Sequence, residues 1–211
     1  MKKIYTKILA GLVLVAALAP SVQAEESLKA LMQRMKANPV AKVAYQETRT
    51  LKLLTEAWHG SGFLYSLPPD LMIREQLKPD RLLMGVQGNK VFYFDVKNNT
   101  RHEGELAADS EQSVPLVVFK AIANADEALL RSVYDIVFAT TAQGWTMDLT
   151  PKQAAGAVTK IVVSGLSGQA ANKVRIVQAE GESSEFSLQK VADGSANDAA
   201  INLLFQELQG E

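Results

Sequence analysis

The side chains most able to do chemistry are few and far apart. Two histidines, His59 and His102, fall in separate strand-like stretches. Neither has a cysteine or a second histidine at a spacing that would set two donors on one metal. His102-Glu103-Gly104-Glu105 lacks the second histidine of a zinc-protease helix. Ser164-Gly165-Leu166-Ser167-Gly168 carries two serines, but no Gly-x-Ser-x-Gly elbow surrounds either, so the stretch reads as a turn and not as a nucleophile. Phosphate-loop and dinucleotide fingerprints are absent, and the carboxylates are scattered where solvation accounts for them. The residues therefore argue against an enzyme and ask for no cofactor and no metal.

What the chain has in quantity is large apolar side chains. Phe63, Tyr65, Met84, Phe92, Phe94, Phe138, Trp145 and Met147 stand in strand-like stretches, and Val114, Val118, Phe119 and Ile122 crowd one short segment. Two readings stay open: these residues are an ordinary core, or part of them lines an apolar cavity for a ligand. Methionine suits the second, because its flexible thioether accepts varied apolar partners.

The elements that must position them follow from periodicity and punctuation. Trp58 to Val96 reads as a four-stranded meander, broken by Pro68-Pro69-Asp70, Lys78-Pro79-Asp80 and Gly88-Asn89. Within it Leu71 and Ile73 oppose Arg74, which the alternation assigns to a wet face. Ser27 to Ala37 is an amphipathic helix closed by Asn38-Pro39, and Val40 to Ala57 is one long bent strand or two. Arg101 to Leu106 reads as a polar edge strand. Ser113 to Ala123 is a helix apolar almost all round, and Asp126 caps a second short helix through Leu130. Tyr134 to Pro151 is a hairpin, three strands follow at 159–164, 173–179 and 185–191, and Asn197 to Leu208 is a closing helix. The sum is an α+β chain with one long antiparallel sheet.

Met1 to Ala24 has a basic start (Lys2, Lys3, Lys7), an apolar run from Ile8 to Ala19, and small residues at the positions a signal peptidase reads. The expectation is a cleaved signal peptide at 1–24 and a single domain at 25–211, free in the periplasm. Losing three lysines takes the formal charge from −1 to −4, which disfavours nucleic acid and a polybasic membrane patch. The chain holds no cysteine, so burial alone must stabilise an exported protein.

The order of signal peptide, amphipathic helix, Tyr45-Gln46, Gly62-Phe-Leu-Tyr, Pro69-Asp70-Leu71, Pro79, Leu83, Gln87-Gly88-Asn89, Phe92-Tyr93-Phe94-Asp95 and Leu149-Thr150-Pro151-Lys152 resembles the LolA family of periplasmic lipoprotein carriers. The resemblance spans nearly all of residues 25–211. It implies an incomplete, strongly curved antiparallel β-barrel with helices covering the concave face. It also implies an apolar cavity for the acyl chains of a lipoprotein or other lipidated cargo, taken from an inner-membrane donor complex to an outer-membrane acceptor by a monomer. The lid would be 27–37 with 113–130, and the twelve apolar residues named above would line the cavity. The arginine that latches the lid in typical carriers would fall on Pro68, so lid closure is expected to rest on apolar contact and not on a polar lock. The same fold also occurs in periplasmic regulators, which makes a lipid-sensing or interaction module that regulates a partner protein the alternative.

Overall fold

The computed structural model describes residues 27–37, 39–105, 114–153, 157–193 and 198–211. The signal-peptide expectation at 1–24 therefore lies outside the described residues. Helix α1 (Leu28–Ala37) leads into strand β1 (Val40–Thr50), and the open question over 40–57 resolves as one strand followed by a loop. The meander is β2 (Trp58–Leu67), β3 (Leu71–Lys78), β4 (Leu82–Gln87) and β5 (Lys90–Asp95), with β6 (Thr100–Glu105) beside it. Helices α2 (Val114–Ala123) and α3 (Glu127–Val133) come next, and the Asp126 carboxylate accepts from the Leu129 N–H as the expected N-cap. Strands β7 (Tyr134–Thr140), β8 (Gly144–Pro151), β9 (Val158–Leu166), β10 (Ala171–Gln178) and β11 (Ser183–Asp193) follow, then helix α4 (Asp198–Gln209). No helix among the described residues is long and apolar enough to cross a membrane.

Among the described residues eleven strands form one antiparallel sheet in the order β6-β5-β4-β3-β2-β1-β11-β10-β9-β8-β7, with β6 and β7 at its two edges, and the sheet does not close on itself. The order places the last strand beside the first, and successively earlier strands, β10 to β7, then lie outward from it. Pairing Glu47 with Phe186 and Tyr45 with Leu188 fixes the register at this central seam.

Register divides the side chains into two faces. One face carries Tyr45, Leu64, Met72, Phe186, Val174, Val163 and Met147, packed in a single core with Leu31 and Met32 of α1 and Val118, Phe119 and Ile122 of α2. The other carries Leu71, Ile73, Leu83, Phe92 and Phe94, covered by Ile201, Phe205 and Leu208 of α4. The expected wet face on β3 is corrected here: residues 71–76 are all buried, Arg74 included, because α4 packs on the Ile73 side while α2, at Met72, and Tyr45 and Phe186 of the curled sheet, at Arg74, cover the other. Alternation reports a solvent face only where nothing packs on it.

Candidate functional site

The site is built where the helical core meets the sheet at the end of the Pro68-Pro69 turn. An apolar cavity of about 80 Å³ lies there, lined by Val43 of β1, Leu64 of β2, Met72 of β3, Ala171 of β10, Leu188 of β11 and Phe119 of α2, among others. In a flat sheet β3 and β10 would be four strand spacings, about 19 Å, apart. Both touch the same small space, so the sheet is strongly curled around it and the helices occupy its concave side.

The side chains of α2 make the roof. Val117, Val118, Phe119, Ala121 and Ile122 are all buried. Phe119 meets Phe186 of β11 edge-on with ring centroids 5.0 Å apart. Met35 of α1 closes one side, and Ile122 and Ala123 reach the rim. Ala123 also borders an open groove of about 730 Å³ that runs past Lys36, Pro39, Pro68 and Asn124, so the cavity and the groove adjoin at the rim of the roof.

Polar contacts also hold this roof to the sheet, which corrects the expectation of a lid closed without a polar lock. Lys120 of α2 donates from Nζ to the Asp70 carboxylate at 3.0 Å and to the Gly88 carbonyl at 3.1 Å. Asn124 Nδ2 donates to the Pro69 carbonyl at 3.2 Å. Pro68 carries no donor, as expected, but the donors come from the helix and the acceptors from two turns of the meander. Lys120 keeps little exposure while Asp70 is half exposed, so each contact is worth on the order of 1 kcal/mol. Burial of the apolar side chains, at about 1.5–3 kcal/mol each, still supplies most of the closure energy. The polar contacts choose where α2 sits.

The twelve apolar residues singled out in the sequence do not converge on one space. Phe119, Ile122 and Tyr65 line the cavity. Val118, Trp145 and Met147 are buried in the same core, and Phe138 packs against it with its ring 6.3 Å from Trp145. Phe92 and Phe94 are on the opposite face under α4, with Phe92 edge-on to Phe205 at 5.3 Å. Phe63 shares that face, with the Lys42 ammonium 4.0 Å above its ring. Assigning Phe63, Phe92 and Phe94 to a single cavity with α2 is thus corrected, because register turns these odd- and even-numbered positions outward. Tyr65 also touches the α4 cluster, and its hydroxyl donates to Glu75 at 2.9 Å, with burial and that carboxylate pushing its pKa up. Met84 faces the concave side, half-buried, beside Arg74. The Val114 side chain lies outside the described residues.

Sequence reasoning missed the polar floor beyond Phe186. Arg74 donates from Nε to the Tyr45 hydroxyl at 3.1 Å and from Nη2 to Glu47 at 2.5 Å and Gln76 at 3.3 Å. Glu47, 1 % exposed, also accepts from Arg49, whose guanidinium lies 4.7 Å from the Trp58 ring centre. The available signal was a glutamate two residues after Tyr45 on the row that also holds Val43, a charge on an otherwise inward face. Tyr134, 2 % exposed at the start of β7, has a hydroxyl with no partner among the described residues, and burial pushes its pKa up to about 12.

No family model matches the chain, and no curated protein matches it. Solved structures similar to it include a LolA superfamily protein from Nitrosomonas europaea, at 8% identity over 81% of this chain and 96% of that one, with a TM-score of 0.42. A DUF1329 family protein from Desulfovibrio piger is similar at 8% identity over 81% and 92% of the two chains, with a TM-score of 0.44. A chain of the MucA/MucB complex of Pseudomonas aeruginosa is similar at 11% identity over 80% of this chain and 56% of that one, with a TM-score of 0.41. The open, curled antiparallel sheet with helices in its concavity is the architecture that the LolA resemblance of the sequence implies.

Proposed function

We propose that this protein is an exported, periplasmic carrier that shields the acyl chains of a lipidated molecule between the curled sheet and α1–α3. The observation that carries this reading is the apolar cavity at the seam of β3, β2, β1, β11 and β10, roofed by a helix whose polar attachments, among the described residues, lie at its C-terminal end. A cavity of about 80 Å³ is a closed state, too small for several acyl chains. Binding then means that chain methylenes, at about 0.8 kcal/mol each, replace the sheet contacts of Phe119 and Ile122 as α2 lifts. No covalent step is needed, and release follows when an acceptor offers the chains a better apolar environment.

Two measurements test it. Native mass spectrometry of protein taken from the periplasm is expected to show adducts of lipid mass that leave on denaturation. Because the chain has no cysteine, Asp70→Cys with Lys120→Cys gives a clean pair for a short bifunctional thiol reagent. Bridging α2 to the turn should block uptake of a fluorescent acyl probe, and singly labelled proteins should take it up normally. Protein of bare mass that also ignores the probe, or uptake unaffected by the bridge, would overturn the reading.

A further inference from the structure

The buried arginine on the floor is not used by the carrier reading, and its hydrogen bonds are uneven. Arg74 is 5 % exposed, and its Nε and Nη2 are engaged by Tyr45, Glu47 and Gln76. Nη1 has, among the described residues, only the Met84 thioether at 3.8 Å. A sulfur is a weak acceptor for a guanidinium N–H, and a buried charge with a poorly used donor is costly unless something better completes it. Charge is uneven too. Two guanidinium groups, Arg74 and Arg49, flank the single carboxylate of Glu47.

Arg74 is one side chain removed from the cavity lining. Leu64 lies directly across from Arg74 on β2, and Met72 is two residues before it on the same face of β3; both line the cavity. Tyr45, which accepts from Arg74, lies across from Leu188, another lining residue. Met84, directly opposite Arg74 on β4, is half-buried and unbranched, so it can swing aside at small cost.

We propose that Arg74 Nη1 is the seat for an anionic oxygen group of the bound lipid, a carboxylate or a phosphate, which displaces the Met84 thioether while the chain fills the apolar cavity. The inference rests on the carrier reading and narrows it to acidic amphiphiles over neutral ones. A monoanion there cancels the one excess positive charge of the Arg49–Glu47–Arg74 group. It also turns the weakest contact of the guanidinium into a charge-assisted hydrogen bond. Glu47, Tyr45 and Gln76 keep the guanidinium plane oriented for it.

Calorimetric titration of delipidated protein with dodecanoate, dodecyl phosphate and dodecanol tests the seat. At least one acid should bind about ten-fold tighter than the alcohol, the size expected of a charge-assisted bond. Comparing the two acids separates a carboxylate ligand from a phosphate one. Arg74→Gln should erase the preference while dodecanol affinity stays. Met84→Ala, which leaves the buried ion pair intact, should widen it several-fold and carries the test if Arg74→Gln does not fold. Equal affinity for acids and alcohol, or a preference that neither variant moves, overturns the proposal and leaves the carrier reading standing. Failure of all three amphiphiles to bind overturns both.

Discussion

Lys120 and Phe119 are neighbours on one helix and hold it in different ways. Phe119, 4 % exposed against Phe186, contributes through burial and ring geometry, so Phe119→Ala should cost about 3–5 kcal/mol and make α2 more sensitive to limited proteolysis. Lys120→Gln keeps the apolar face and removes the ion pair to Asp70, which is half exposed and worth about 1 kcal/mol or less. Its expected signature is local: amide exchange in α2 and at Asn124 speeds up while the melting temperature moves by only a degree or two. A Lys120→Gln protein whose α2 exchanges like wild type would show that the polar contacts do not position the roof.

At the scale of elements, α4 shows how a helix on the convex side is secured. Its apolar stripe, Ile201, Phe205 and Leu208, packs on β3–β5, and Glu207 takes a bidentate pair from Arg81, one arm at 2.8 Å, while Arg81 also bonds Glu75 at 3.0 Å. The Arg81 hydrogen bonds hold the Glu207 pKa below the ordinary carboxylate value, with burial opposing them and the charges of Arg81 and Arg101 adding a smaller lowering. A depressed carboxylate adds stability that is present above its unfolded pKa and disappears as pH falls through the folded one. Wild type should therefore lose stability from about pH 4.5 downward more steeply than Glu207→Gln, whose melting temperature starts lower at pH 7. Parallel curves for the two proteins would contradict the assignment. The strands beneath depend on close approach: a Cβ at Gly62 would stand 1.9 Å from the Glu75 carbonyl oxygen. Gly62→Ala should consequently separate β2 from β3 and destabilise the protein by several kcal/mol, measured by denaturant melts.

For the whole molecule, the curl of an open sheet is what makes a concave side available. Eleven strands in one sheet, with β6 and β7 as its edges among the described residues, give a trough whose halves meet at the β1–β11 seam and are packed together through the helices. A ligand that binds the folded trough and not the unfolded chain must stabilise it, by about 2.7 kcal/mol at a hundred-fold excess over its Kd. A fluorescent acyl probe at that excess should thus raise the melting temperature by a few degrees and slow proteolysis of α2. Binding without any rise would place the probe on an outer surface and not under the roof.

Strand and helix identity were legible because they depend on local periodicity and punctuation: the Pro68-Pro69, Lys78-Pro79 and Gly88-Asn89 breaks bound β2–β5, and the Asp126 cap starts α3. Alternation also separated Phe92 and Phe94 from Val91 and Tyr93 correctly, but alternation has no sign. Which row faces the cavity was decided by where α1–α3 and α4 docked, and this sent Phe63, Phe92 and Phe94 away from Phe119 and Ile122. The same limit hid Arg74, since a charged residue in an alternating strand reads as exposed until the side chains that distant strands bring over it are known. Lys120, Asp70 and Gly88 are separated by 50 and 32 residues from helix to turn, and nothing local couples them. The sequence by itself determined the elements, since each is set by neighbours within a few residues. Tertiary structure alone decided the faces, the lock and the buried guanidinium, since each arises from contacts between segments far apart in the chain.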